Sequence, residues 1–215
     1  MGSFQSARHR MVRRQLRGRE ISDERVLSAM ATVPRERFVS ERLADQAYDD
    51  VPLPIGFGQT ISQPYMVALT CQAARIRRGD RVLDVGCGSG YQAAVLAELG
   101  AEVYAVECIP ELADRAAQTL AALGLEDRVT VQCGDGSVGH PEHAPFDAIT
   151  VGAAAPRFPA ALFEQLRVHG RMVVPIGDRS GQWLEVVTRG PEGPVTSRSV
   201  PCRFVPLVGA EGFQG

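Results

Sequence analysis

Hydrophobic positions recur along the chain in two rhythms, and the change between them divides it. Over residues 22–33, Val26, Leu27, Met30 and Val33 fall on one face at helical spacing. Ser22 is placed to cap that helix, and Asp23 and Glu24 lie in its first turn, where the positive end of the helix dipole favours them. Between Tyr48 and Pro64 the rhythm is lost in Gly, Pro and short polar residues (DDVPLPIGFGQTISQP), a stretch too long for a bare connector and so a candidate functional loop. A helix is predicted over 64–76, with Pro64 in its first turn.

From Arg81 short β-rich runs alternate with helical ones: RVLDV (81–85), YQAAVLAEL (91–99), EVYAVE (102–107), ELADRAAQTLAAL (111–123), RVTVQC (128–133) and FDAITV (146–151). Strands spaced by helices of this length imply βαβ units and a Rossmann-like, doubly wound, mainly parallel sheet. Leu112, Ala116, Leu120 and Leu123 give the second of these helices a stripe to lay on it. After a helix predicted at 159–168, GRMVVPI, QWLEVVT and CRFVPLV read as strands, the first two joined by the polar turn GDRSG, so the sheet should end in an antiparallel C-terminal element. The chain reads as one α/β domain, with 1–80 an N-terminal helical extension and loop and 81–215 the core.

Composition narrows the chemistry. All 23 basic residues are Arg, and with no Lys the chain cannot perform Schiff-base chemistry, hold pyridoxal phosphate through an amine or form a P-loop. A formal net charge of −2 gives no general attraction to nucleic acid, and the six Arg between Arg8 and Arg19 read as a solvated helix face. No apolar run is long enough to cross a bilayer, the N-terminus lacks a secretory pattern, and five cysteines form no CxxC pair, so the chain reads as a cytoplasmic monomer with reduced thiols. His140-Pro-Glu-His143 reads as a surface loop and no metal site is expected; Cys87 is the one cysteine placed to react with oxidants.

The first strand of the core runs into Asp84-Val-Gly86-Cys-Gly88-Ser-Gly90, where a doubly wound fold places its nucleotide crevice. A dinucleotide fingerprint is G-x-G-x-x-G; this loop is G-x-G-x-G, and Asp84 would repel a diphosphate but attract an ammonium. S-adenosyl-L-methionine, with a cationic amino group and sulfonium, fits those charges. Glu107 ends the next strand where a carboxylate can accept from ribose hydroxyls, or is a solvated strand end. Asp135, in Gly134-Asp135-Gly136, can accept from an adenine amino group beside the Gly136 amide, or simply forms a turn.

With these residues in view, the chain resembles the protein-L-isoaspartate O-methyltransferase family. The resemblance runs through MVRRQLRGREISDERVLSAMATVPRERFV (11–39), GQTISQPYMVA (58–68), DVGCGSGYQAA (84–94), GDG (134–136), APFDAITVGAAAP (144–156), GRMVVPIG (170–177) and RFVPLVG (203–209). Glu20 stands where members often have Gly, and Gly152 where Thr is common; neither is expected to touch the chemistry-bearing motifs. The resemblance implies methyl transfer from S-adenosylmethionine to the free α-carboxyl of L-isoaspartyl residues in damaged proteins and peptides, the ester then closing to a succinimide. A carboxylate is already ionised at neutral pH, so the reaction needs orientation more than a general base. Ser62 is the orienting hydroxyl this suggests, with Thr60 assisting in substrate binding, although Ser62 also lies where it could cap the following helix. Flanking side chains should matter little. A class I methyltransferase acting on RNA, a nicotinamide oxidoreductase and a catalytically silent cofactor-binding module are the competing readings.

Overall fold

The computed structural model describes residues 3–178 and 180–214. Helix α1 (Phe4–Met11) runs into a wider π-helical turn over Val12–Leu16, and α2 (Glu24–Thr32) and two 3-10 turns, Arg35–Phe38 and Glu41–Gln46, follow. The cap of α2 is Asp23, whose carboxylate accepts the Arg25 amide at 2.9 Å. Ser22 was expected there, but the Ser22 and Asp23 amides both donate to the Gln72 side chain, which sets the entry of the chain one residue later.

The 48–64 stretch is more regular than its composition suggests. Strands β1 (Leu53–Gly56) and β2 (Gln59–Ile61) form an antiparallel hairpin around Phe57 and Gly58, both at positive φ. Helix α3 (Pro64–Ala74) follows, with proline in its first turn.

The core then runs β3 (Arg81–Val85), α4 (Tyr91–Glu98), β4 (Glu102–Glu107), α5 (Pro110–Ala121), β5 (Val129–Cys133), β6 (Phe146–Val151), α6 (Ala160–Glu164), β7 (Leu166–Gly177), β8 (Gln182–Gly190) and β9 (Gly193–Cys202). Seven strands form one sheet in the order β5-β4-β3-β6-β7-β8-β9, parallel from β5 to β7 and antiparallel from β7 to β9. The Rossmann-like, mainly parallel sheet with an antiparallel end is the one the βαβ rhythm predicts. The chain reverses direction across the sheet between β3 and β6, and the crevice beyond their carboxyl ends is where such folds bind ligands.

Strand alternation sorts the core into two layers. Val82, Val103, Ala105 and Val129 face a cluster that also holds the apolar sides of α2, α3, α4 and α5, while Leu83, Val85, Val106 and Ile149 face a second cluster with Leu162 and Phe163 of α6. That second face is covered thinly, because the helix expected at 159–168 stops at Glu164. Leu166 already pairs with Phe146 of β6, and the Arg189 guanidinium from β8 closes the helix by donating to the Glu164 and Leu166 carbonyls. CRFVPLV is also not a sheet strand: β9 ends at Cys202, and the following segment leaves the sheet to bridge Ala154 through Pro206. Among the described residues no helix is long and apolar enough to cross a membrane.

Candidate functional site

Two adjoining cavities lie at the reversal between β3 and β6, and Thr60, Gly86, Gly88 and Gly152 belong to the walls of both. One extends past Glu107 and Gly136 to the C-terminal segment Val205–Val208. The other extends past Ser62, Ser89 and Gln92. The hairpin β1–β2 therefore sets its hydroxyl residues against the glycine loop. Neither wall contains a basic side chain, and Glu107 makes the crevice acidic. A pyrophosphate would meet no counter-charge here, whereas a cationic ligand would.

Backbone conformation explains the glycines. Gly86 and Gly88 have φ of 70° and 56°, in the left-handed region that glycine adopts without strain. Gly90 is also left-handed, but it lines neither cavity; its Cα packs on α5, where a Cβ would stand 3.2 Å from Leu120. At Gly136 a Cβ would meet Val85 at 2.8 Å, so only glycine lets the chain approach the end of β3.

The acidic residues divide into different tasks. Glu107 is 5% exposed and lies in the crevice wall; its Oε2 accepts the Gly88 amide at 2.8 Å and its Oε1 the Ile109 amide at 3.1 Å. It therefore fixes the glycine loop and retains acceptor capacity on both oxygens. Asp84 stands behind the wall. Its Oδ1 accepts from Gln92 at 2.7 Å and Thr150 at 2.8 Å, while its buried Oδ2 has no protein partner. Burial, helped by the charge of Glu107 and opposed by those two hydrogen bonds, pushes its carboxyl up to about 6. An orphan, buried carboxylate oxygen is the atom a cationic ligand group would satisfy.

Asp135 is already engaged on both oxygens, with acceptor capacity left on Oδ2. Ser137 donates to its Oδ1 through both amide and hydroxyl, and the Ala210 amide donates to its Oδ2 at 2.8 Å. Burial pushes its carboxyl up, but these bonds outweigh it and hold the group below the ordinary value. Asp135 thus caps the turn at Gly136–Val138 and fastens the C-terminal segment that walls the crevice.

Ser62 could have been a helix cap, and it is not one. The residue at the cap position of α3 is Gln63, which makes no side-chain capping bond, and the Tyr65 amide in the first turn donates instead to Asp50 at 2.9 Å. Among the described residues the Ser62 hydroxyl has no hydrogen-bond partner, and Ser62 lines the cavity beside the glycine loop.

A model of the family described as Protein-L-isoaspartate(D-aspartate) O-methyltransferase (PCMT) matches residues 6–212. The chain belongs to this family. It is 56% identical over 198 residues to the protein-L-isoaspartate O-methyltransferase of Gloeobacter violaceus, covering 92% of this chain and 96% of that one. It is 52% identical over 215 residues to protein-L-isoaspartate O-methyltransferase 1 of Syntrophobacter fumaroxidans, covering 100% of both. Among solved structures, one protein-L-isoaspartate O-methyltransferase superposes with a TM-score of 0.87 at 30% identity, covering 95% of this chain and 67% of that one. A putative Plasmodium falciparum member in complex with S-adenosyl-L-homocysteine superposes with 0.82 at 27%, covering 94% and 98%.

Several features of this family member escape its sequence. Asp50 accepts the Tyr65 amide and the Gln63 side chain and pairs with Arg19, whose guanidinium also stacks 3.8 Å from the Tyr65 ring centroid. The N-terminal extension thereby holds the segment that carries Ser62. The arginine cluster is consequently not all a solvated face: Arg10, Arg13 and Arg14 are exposed, but Arg8 turns inward to Tyr48 and Glu36, and Arg19, itself exposed, pairs with Asp50. Gly152, expected to lie away from the chemistry, is in the wall of both cavities, and a Cβ there would stand 2.7 Å from the Gly86 carbonyl oxygen. Glu20 has φ of 67°, which explains why glycine suits that position. Cys87 is buried, and burial together with Asp84 and Glu107 pushes its thiol well up, so it is not the reactive thiol expected. His140 is buried beside Tyr104 and His143 instead of lying in a solvated loop.

Proposed function

We propose that this chain transfers a methyl group from S-adenosyl-L-methionine to the free α-carboxylate of L-isoaspartyl residues in damaged proteins and peptides, initiating repair through a succinimide. The observation that carries the reading is Ser62, a hydroxyl released from capping by Asp50 and set in a cavity whose walls include the glycine loop. When bound, the nucleoside supplies a methyl group made electrophilic by its sulfonium.

The chain's own residues bind, orient and exclude water. Glu107 is the residue to accept from a ribose diol, since both its oxygens are aligned by backbone amides in the crevice wall. Gly86, Gly88 and Gly136 let the backbone lie close to the ligand. Asp84 offers its orphan oxygen and its charge to the amino group. Ser62 donates to the substrate carboxylate without neutralising it, and Thr60, on the shared wall, is its helper. Val205, Leu207 and Val208 make the other wall apolar, and removing water from an anionic nucleophile favours the transfer. No base is called for, because the nucleophile is ionised at neutral pH. We further place the chain in the cytoplasm, acting as a monomer on polypeptides.

Matched peptides carrying Asp or isoAsp at one position, assayed with labelled S-adenosylmethionine, test the reading. Label should enter the isoaspartyl peptide as a base-labile ester and scarcely enter the other. Equal labelling of both would overturn the substrate assignment.

A further inference from the structure

A concavity larger than the two cavities at the glycine loop lies beside them. It is an open groove of about 620 Å³ between the 3-10 turns of the N-terminal extension, the outer strand of the hairpin and α5. Arg37, Arg42 and Arg115 line it and no acidic residue does. Among the described residues, none of these three guanidinium groups is within ion-pair distance of a carboxylate; Arg115 spends one nitrogen on the Ile55 carbonyl. Elsewhere in this extension Arg8 pairs with Glu36, Arg17 with Glu24 and Arg19 with Asp50. Three cations in one concavity without anions make a positive trough on a chain whose net charge is −2.

The groove meets the transfer cavity. Ser89 of the glycine loop belongs to the walls of both the groove and the cavity that holds Ser62, and Ile55 in the groove wall reaches within 3.1 Å of where a Cβ on Gly88 would be. A polypeptide with its modified residue at Thr60 and Ser62 therefore has this trough beside it, within a few residues' reach.

We propose that the groove receives acidic side chains flanking the modified residue, so that isoaspartyl sites in acidic stretches are preferred substrates. This rests on the carboxyl-methylation reading and refines it: the site reads the displaced backbone, and the groove adds a smaller dependence on neighbouring charge. The occupant is anionic polypeptide, because among the described residues the trough's cations have no carboxylate partner and the adjoining site takes a carboxylate.

The experiment uses isoaspartyl peptides of one sequence with a Glu-Glu or a Gln-Gln pair on either side of the modified residue, assayed with the intact chain and with Arg37→Gln/Arg42→Gln. The native chain should show a KM about fivefold lower for Glu on one side, the size expected of a few exposed ion pairs, and raised salt should erase the difference. The double variant should lose the preference while its kcat/KM for the Gln peptide stays unchanged. Arg37→Glu/Arg42→Glu should instead prefer Lys flanks. Glu preference retained in the double variants, or absent from a native chain that methylates the Gln peptide, would overturn the groove's role and leave the methylation reading standing. A single-stranded oligonucleotide that competes with native chain and not with the double variant would assign the groove to nucleic acid and overturn it as well. Failure to methylate even the Gln peptide would bring down the underlying reading, and the groove's role with it.

Discussion

Asp84 shows how a single residue couples charge, stability and ligand. Its carboxyl is raised from 3.8 to about 6 by burial. With the folded value above the unfolded one, the protonated carboxyl stabilises the fold; this contribution is full below 3.8 and is lost as pH rises through about 6, an effect on the order of 3 kcal/mol. Thermal unfolding of the ligand-free chain should therefore show a decline between about pH 4 and 6 that is smaller in Asp84→Asn. The ligand's amino group opposes that cost, so S-adenosylhomocysteine should bind more tightly as pH rises through 6 in the native chain and not in the variant. Parallel pH profiles for the two would contradict this account of Asp84. Glu20 supplies a second residue-scale expectation: with φ of 67°, Glu20→Gly should raise stability by about 0.5 kcal/mol, since relief of left-handed strain slightly exceeds the added chain entropy. Chemical denaturation checks this, and a lower midpoint would count against it. At this scale the sequence located the acidic residues but not the distant groups that hold them in place. Asp84 is partnered by Thr150 and Asp135 by Ala210, which lie 66 and 75 positions away, and no local motif announces such partners.

The elements that matter most are the hairpin β1–β2, the first turn of α3 and the C-terminal segment. Asp50 serves as a remote cap for α3 and so fixes Ser62. Asp50→Ala should lower kcat/KM for an isoaspartyl peptide roughly tenfold, the cost of a charged hydrogen bond, with the Kd for S-adenosylhomocysteine unchanged, and Arg19→Gln should do the same more weakly. A change confined to cofactor affinity would argue against this positioning role. Asp135→Ala should behave in the opposite way, weakening S-adenosylhomocysteine roughly tenfold in calorimetry by freeing the segment after Val208. Unaltered affinity would show that this wall is held by other contacts. The buried strands and long helices were legible because their apolar spacing is regular, as with Leu112, Ala116 and Leu120 on α5. Strand β9 was not, because an edge strand that is exposed along most of its length, GPVTSRSVPC, has no buried face to mark in sequence. The tail RFVPLV looked like a strand for the converse reason: its apolar residues cover a crevice instead of a sheet.

Across the whole molecule, the βαβ order of the sequence was enough to place the crevice, since a doubly wound sheet reverses beside its first core strand, here between β3 and β6. What the order could not supply is how the N-terminal extension returns to that crevice, through Arg19 and Asp50 on one side and the groove of Arg37 and Arg42 on another. In the mechanism we propose, this architecture is an orienting device: the sheet holds the methyl donor, the extension and hairpin hold the carboxylate, and no residue is asked to move a proton. The measurement that bears on it most directly is single-turnover methylation of an isoaspartyl peptide by Ser62→Ala at saturating S-adenosylmethionine, with thermal unfolding of the same sample. The rate should fall roughly 10- to 100-fold, as for a hydrogen bond to a charged group, with the unfolding midpoint and cofactor affinity unchanged. A native rate accompanied by a lowered midpoint would make Ser62 a structural residue and contradict the account.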